Sequence, residues 1–170
     1  MLTWVGSNFE KVVVLLNVAN PFECGFLETI PGLDACMYIG FTGTRGADSI
    51  PKLLYGEVSP SGHTVDIFPY DMYTNPANVW TSMSYTDYGV AYEDYVEGVY
   101  VGYRWYETAD KEGIWDEYER TVPAGRKTGY NAVVQYPFGY GLSYNEYEWE
   151  IKEISLAPGS AITNETKIDI

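Results

Sequence analysis

Five carboxylates stand where a hydrolytic site would need them to be examined first: Glu23, Glu28, Asp34, Glu97 and Asp116. Two carboxyl groups can cleave an acetal by double displacement when they lie about 5–5.5 Å apart, one ionised and one kept protonated by its surroundings. Local spacing pairs none of the five. Glu23 and Glu28 are five residues apart, whereas neighbours on one helix face come at three and four. Asp34 opens an apolar run and reads as a strand start. Glu97 stands beside Gly98 in a stretch that reads as extended, where a structural hydrogen bond is its expected role. The expectation is a chain with no catalytic residue of its own. His63, the single histidine, follows Pro60-Ser61-Gly62 at a strand start, with no serine or cysteine partner signalled. Cys24 and Cys36 show neither metal-ligand spacing nor a disulfide framework; set among apolar residues, they read as two buried thiols, with a bridge between them as the alternative. No metal and no cofactor is expected.

Binding chemistry has a better address. In open α/β sheets, ligands sit beyond the carboxyl ends of the strands. Asn17–Glu23 and Thr42–Arg45 fall at that edge, which makes Thr44 and Arg45 the substrate-proximal candidates. An arginine there donates to hydroxyls or pairs with a carboxylate from a facing domain; the plain alternative is a surface arginine on a loop. Gly43 and Gly46 permit the turn.

The elements that must position these residues follow from the apolar pattern. Leu2, Val5 and Phe9 share one side of a short helix over 3–10. Lys11–Asn17 is β-branched and does not alternate, as expected of a strand covered on both faces. Asn20-Pro21 opens a helix carrying Phe22, Phe26 and Leu27, and Pro31-Gly32 ends it. Asp34–Phe41 is a second buried strand, and a short helix follows with Pro51 in its first turn and Gly56 at its C-cap. Thr64–Phe68 reads as a third strand, completing a β–α–β–α–β order that implies a parallel sheet. Residues 70–95 read as a long ordered loop, 95–107 as extended, and 108–129 as a solvated insertion. Tyr136–Tyr144 reads as a compact aromatic turn in which Gly139 and Gly141 allow close approach. Tyr147–Leu156 alternates like an antiparallel strand with one wet face, and Lys167–Ile170 begins another.

Composition bounds the partners. The 170 residues suffice for one domain with a core, and 46% hydrophobic content excludes a disordered chain. A net charge of -14 opposes phosphate backbones and anionic lipid surfaces, so no nucleic acid and no membrane partner is expected. Neutral sugars fit the field better. Seventeen tyrosines and five tryptophans supply faces on which pyranose rings stack, though tyrosine also fills strand and edge positions in any mixed fold. The N-terminus lacks the layout of a secretory leader, which favours a cytoplasmic location. Asn164-Glu165-Thr166 matches a glycosylation sequon and carries little weight.

Four segments together resemble a known family. KVVVLLNVANPFE (11–23), IGFTGTRGADSIPKLLYGEVSPSG (39–62), EGVYVGYRWYE (97–107) and YPFGYGLSY (136–144) are similar, in order and spacing, to the C-terminal region of family 3 glycoside hydrolases, the β-glucosidases, β-xylosidases and related exo-acting enzymes. The resemblance runs from about Val12 to Tyr147. It implies a (β/α) barrel followed by an α/β sandwich, with the active site between them. It further implies an aspartate nucleophile on the barrel and an acid/base glutamate on a loop upstream of the strand at Lys11–Asn17, so that neither would lie in this chain. Thr44-Arg45-Gly46-Ala47 departs from the Gln-Glu-Gly-Gly that the family commonly carries, and Pro51 replaces a helix former.

The combined expectation is an α/β fold: a partial sandwich with a mostly parallel sheet over 1–146, then a short all-β segment, the opening of a fibronectin type III-like domain, over 147–170. The function implied is the C-terminal portion of a retaining exo-acting β-glycosidase acting on a β-linked oligosaccharide or glycoside, inactive without its N-terminal barrel. The competing reading is a free-standing, non-catalytic carbohydrate-binding module. A structural α/β protein without a sugar ligand is the third.

Overall fold

The computed structural model describes residues 1–80, 96–148, 150–156 and 159–167. Among these, an α/β arrangement with three two-stranded sheets is found, one parallel and two antiparallel.

The parallel pair joins β1 (Val13–Leu16) to β2 (Ala35–Tyr38), with Val13 opposite Ala35 and Leu16 opposite Tyr38. Asp34 sets this register from below. Its carboxylate accepts the Val12 amide at 2.7 Å, and its own amide donates to the Val12 carbonyl at 2.9 Å. The ion pair from Lys11 to Asp34, 3.9 Å long and exposed, adds little. Both strands were expected to be covered on both faces. Instead Val13, Leu15 and Tyr38 are 44%, 38% and 42% exposed, and among the described residues each strand has a single neighbour.

Helix α1 (Leu2–Asn8) precedes this sheet and crosses the Pro31-Gly32 turn. Gly6 and Gly32 meet backbone to backbone there, and a Cβ on Gly32 (φ +79°) would collide with the Gly6 carbonyl. The helix expected from Asn20-Pro21 is reduced to the single turn α2 (Phe26–Thr29), and residues 17–25 form a loop. That loop is held from outside: the Tyr38 hydroxyl donates to the Ala19 carbonyl at 2.9 Å, and the Met72 amide donates to Glu23 Oε1 at 2.9 Å.

Past β2, a 3-10 turn at Gly46–Ser49 runs into α3 (Ile50–Leu54), with Pro51 in the first turn where its missing N–H is harmless. The helix closes in a Schellman motif. Gly56 (φ +73°) donates to Leu53, and Glu57 donates to Lys52.

The third expected strand does not join the parallel sheet. Thr64 instead exchanges backbone hydrogen bonds with the Tyr136–Tyr144 turn, from its amide to Tyr140 at 2.8 Å and to its carbonyl from Gly139 at 2.7 Å. The only strand formed there, β3 (Phe68–Pro69), pairs antiparallel with β6 (Val134–Tyr136). Gly141 allows the close approach expected of it, since a Cβ would strike the Gly62 carbonyl and stand 3.0 Å from the His63 ring. Edge-on contacts from Tyr38 to Phe68 (5.6 Å) and Phe68 to Tyr136 (6.3 Å) join the two sheets.

The segment read as extended over 95–107 is helical from Tyr103. Gly102, at φ +58°, starts α5 (Tyr103–Lys111), and Glu97 lies in a turn. Tyr106 and Ala109, three apart, face inward and are 2% and 0% exposed. The supposed solvated insertion over 108–129 also contributes to the core. Trp115 is 2% exposed and packs with Ile67, Tyr106, Ala109, Val133 and Val134. Its indole N–H donates to the Tyr106 carbonyl at 3.0 Å, which meets the polar requirement of a buried tryptophan. The hairpin of β4 (Glu119–Val122) and β5 (Gly125–Thr128) then leads through α6 (Tyr130–Val133) into β6.

Of the loop read over 70–95, residues 72–74 form a 3-10 turn and Pro76–Trp80 forms α4; 81–95 lie outside the described residues. The alternating stretch after Tyr147 carries no strand among its described residues. Tyr147 and Ile151 are each 69% exposed, since no second strand receives them. Trp149 and residues 168–170 lie outside the described set.

Candidate functional site

The carboxyl ends of β1 and β2 open onto two loops, 17–25 and 42–46. Thr44 and Arg45 lie on the second, both exposed, and among the described residues Arg45 makes no ion pair. Gly43 takes φ +61° with open space where a Cβ would be, so it turns the loop without touching it. Gly46 instead sits in the 3-10 turn, where a Cβ would stand 3.1 Å from that of Thr42. The geometry leaves the Arg45 guanidinium free to meet a group from outside this chain.

The five carboxylates do not converge. Glu23 is held by the Met72 amide and Asp34 by the Val12 amide. Asp116 faces Gly113 at the end of α5, where a Cβ on that glycine would come within 3.0 Å of its carboxylate. Glu97 borders an open depression of about 370 Å³ with Pro76, Val96, Tyr100 and Trp105; it is the one carboxylate among those lining residues. Of the aromatic residues in 100–106, Tyr106 is buried and Trp105 packs against the core, whereas Tyr100 and Tyr103 are 48% and 37% exposed. His63 is exposed beside Gly141. Cys24 and Cys36 are both free; Cys24 is fully buried, but Cys36 is exposed, against the expectation of two buried thiols. Burial, reinforced by Cys36, pushes the Cys24 thiol up to about 11, so it is no nucleophile near neutrality.

Glu28 is the exception, and sequence reading missed its role. Its Oε1 accepts from the Tyr70 hydroxyl at 2.7 Å, from Lys127 Nζ at 3.1 Å and from Gln135 Nε2 at 3.1 Å. Lys127 also contacts the Tyr70 hydroxyl and rests 5.0 Å from that ring, while the Arg120 guanidinium lies 4.5 Å from it. Burial works to raise the Glu28 pKa, but the hydrogen bonds from Tyr70, Lys127 and Gln135 and the charge of Lys127 outweigh it and leave it lowered. Tyr70 moves the other way, raised first by burial and then by Glu28. The donors are 42, 99 and 107 residues distant in the chain, so no local pattern marks the cluster. It holds an ionised carboxylate in place, and among the described residues no second carboxylate bonds to its members.

The model of the glycosyl hydrolase family 3 C-terminal domain matches residues 1–103. The chain belongs to that family. A beta-glucosidase of Ruminococcus albus is 32% identical over 167 residues, covering 98% of this chain and 15% of that protein. An exo-alpha-(1->6)-L-arabinopyranosidase of Bifidobacterium longum is 32% identical over 107 residues, 62% of this chain and 11% of that protein. Among solved structures, a beta-glucosidase from Paenibacillus barengoltzii superposes with a TM-score of 0.66 at 26% identity, over 90% of this chain and 14% of that one. This chain thus spans about 15% of the length of such relatives. The family 3 match covers both edge loops, β1 and β2, and stops at the start of α5; the hairpin and the Lys127 and Gln135 donors lie beyond it.

Proposed function

We propose that this chain is the C-terminal α/β portion of a retaining, exo-acting β-glycosidase of family 3, acting on a β-linked oligosaccharide or glycoside. Its part is to supply scaffold, one wall of the active-site crevice and the surface against which an N-terminal barrel docks. The observation that carries the reading is the family match over 1–103, which spans the parallel pair and both loops at its carboxyl ends. Thr44 and Arg45 are the proposed substrate-proximal residues. Their exposure and the unengaged guanidinium support this role. The two catalytic carboxyls are proposed to come from elsewhere, since Glu23, Glu28, Asp34, Glu97 and Asp116 occupy separate surroundings.

Two boundaries belong to the same proposal. Residues 1–146 would be sandwich, and 147–170 would open a fibronectin type III-like domain; the exposed apolar side chains of Tyr147 and Ile151, four apart and so on one side of an extended chain, support a β face awaiting further strands. A cytoplasmic location is proposed in keeping with two free thiols.

A panel of nitrophenyl glycosides tests the division of labour. The expected result is no turnover by the isolated 170-residue chain. Turnover abolished by Glu97→Gln or Asp116→Asn would place the catalytic pair here and overturn the reading.

A further inference from the structure

We infer that Lys127, on the hairpin beyond the family-matched segment, is a positioning residue for loop 17–25 and acts on it through Glu28 and Gln135. The significance for a sugar rests on the crevice-wall reading above; the mechanical claim stands on contacts alone. Loop 17–25 contains no helix or strand. Its fastenings include the Tyr38 hydroxyl on Ala19, the Met72 amide on Glu23 and, on the Cys24 carbonyl, the Leu27 amide at 2.9 Å and Gln135 Nε2 at 3.2 Å.

The Gln135 fastening leads to the hairpin. The same Gln135 nitrogen donates to Glu28 Oε1, and Lys127 donates to both Glu28 oxygens, at 3.1 and 3.3 Å. Gln135 is 9% exposed; among the described residues its Oε1 has no hydrogen-bond partner, and its Nε2 makes both of the bonds to Cys24 and Glu28. The Lys127 and Glu28 side chains are 30% and 25% exposed, dry enough for a charge-assisted bond to count. Removing the lysine leaves a half-buried carboxylate with only Tyr70 and Gln135 as donors. Glu28 must then turn toward water, taking with it the α2 turn that closes the loop and drawing Gln135 off Cys24.

Amide hydrogen exchange on the full chain, without sugar, reads this directly. In Lys127→Met, exchange of the Leu27 and Glu28 amides, which donate to the Cys24 and Gly25 carbonyls at the end of the loop, should quicken by about ten- to a hundredfold, the scale of one charge-assisted hydrogen bond. Exchange in 103–111 should not change, and Lys127→Arg should restore protection. Unchanged loop exchange with a loosened hairpin would overturn the inference, since the lysine would then hold only its own strand. Uniform acceleration including 103–111 would also overturn it, by assigning the lysine to the core. If Lys127→Met does not fold, Tyr70→Phe removes one donor to Glu28 and must quicken exchange of the Leu27 and Glu28 amides selectively; failure to do so overturns the inference. No outcome depends on sugar binding, so this inference and the crevice-wall reading can fail independently.

Discussion

Trp115→Ala tests whether the segment after residue 102 is core or decoration. Trp115 is 2% exposed and touches Tyr106, Trp105 and Tyr118 at ring separations of 6.0, 6.0 and 5.1 Å. Burying a tryptophan removes up to about 250 Å² from water, worth about 6 kcal/mol at about 25 cal/mol/Å². The unfolded chain already hides part of that area, which brings the figure to about 4 kcal/mol. That agrees with the 3–5 kcal/mol typical of Trp→Ala in cores. Against a domain stability of about 5–15 kcal/mol, the loss is large. Urea unfolding followed by far-UV circular dichroism is the assay. With a slope of about 2 kcal/mol/M, the midpoint should fall by about 2 M. Trp115→Phe, which keeps a ring but loses the indole N–H bond to the Tyr106 carbonyl and part of the packing volume, should lose about 1–3 kcal/mol. Trp4→Ala, at a 63% exposed position, should stay within about 0.5 kcal/mol. If Trp115→Ala cost under about 1 kcal/mol, the packing argument for α5 and the hairpin would be refuted.

Glu28 predicts a direction in pH. Its folded pKa lies below the unfolded value near 4.5, so its contribution is complete above that value and disappears as pH falls through the folded one. The stability difference between wild type and Glu28→Gln should therefore be full at pH 7 and vanish at strongly acidic pH, as read from urea midpoints. Gly141→Ala should cost about 1–3 kcal/mol in thermal melts, because the new methyl meets the Gly62 carbonyl and the His63 ring. A thiol reagent should label exposed Cys36 promptly and reach Cys24 only on unfolding; equal rates would contradict their placement.

What the sequence disclosed was whatever its local chemistry decides. Lys11–Asn17 and Asp34–Phe41 read as parallel strands from their apolar runs, and Val13–Leu16 and Ala35–Tyr38 within them pair in parallel. Pro51 and Gly56 marked both ends of α3 because each has one good position there. Failures came where distant partners decide. Thr64–Phe68 has strand composition, but its amides found the 136–144 turn rather than β2. The segment 95–107 alternates like a strand, yet the positive φ at Gly102 starts a helix whose buried side, Tyr106 and Ala109, was hidden by the charged residues around it. Ile114-Trp115 and Val122 are short apolar islands in a charged stretch, which gives no period to read. The edge loops were legible from strand order, and Thr44 and Arg45 lie on one of them; the Glu28 cluster was not, since it is assembled from four elements across the chain.

The most direct test of the central claim is a graft. The segment of the Ruminococcus albus beta-glucosidase that aligns with this chain would be replaced by it, and hydrolysis of a chromogenic β-glucoside measured. The account predicts turnover in the folded graft, with Arg45→Ala raising KM and leaving its melting temperature unchanged. A graft that folds, melts cooperatively and hydrolyses nothing would contradict it.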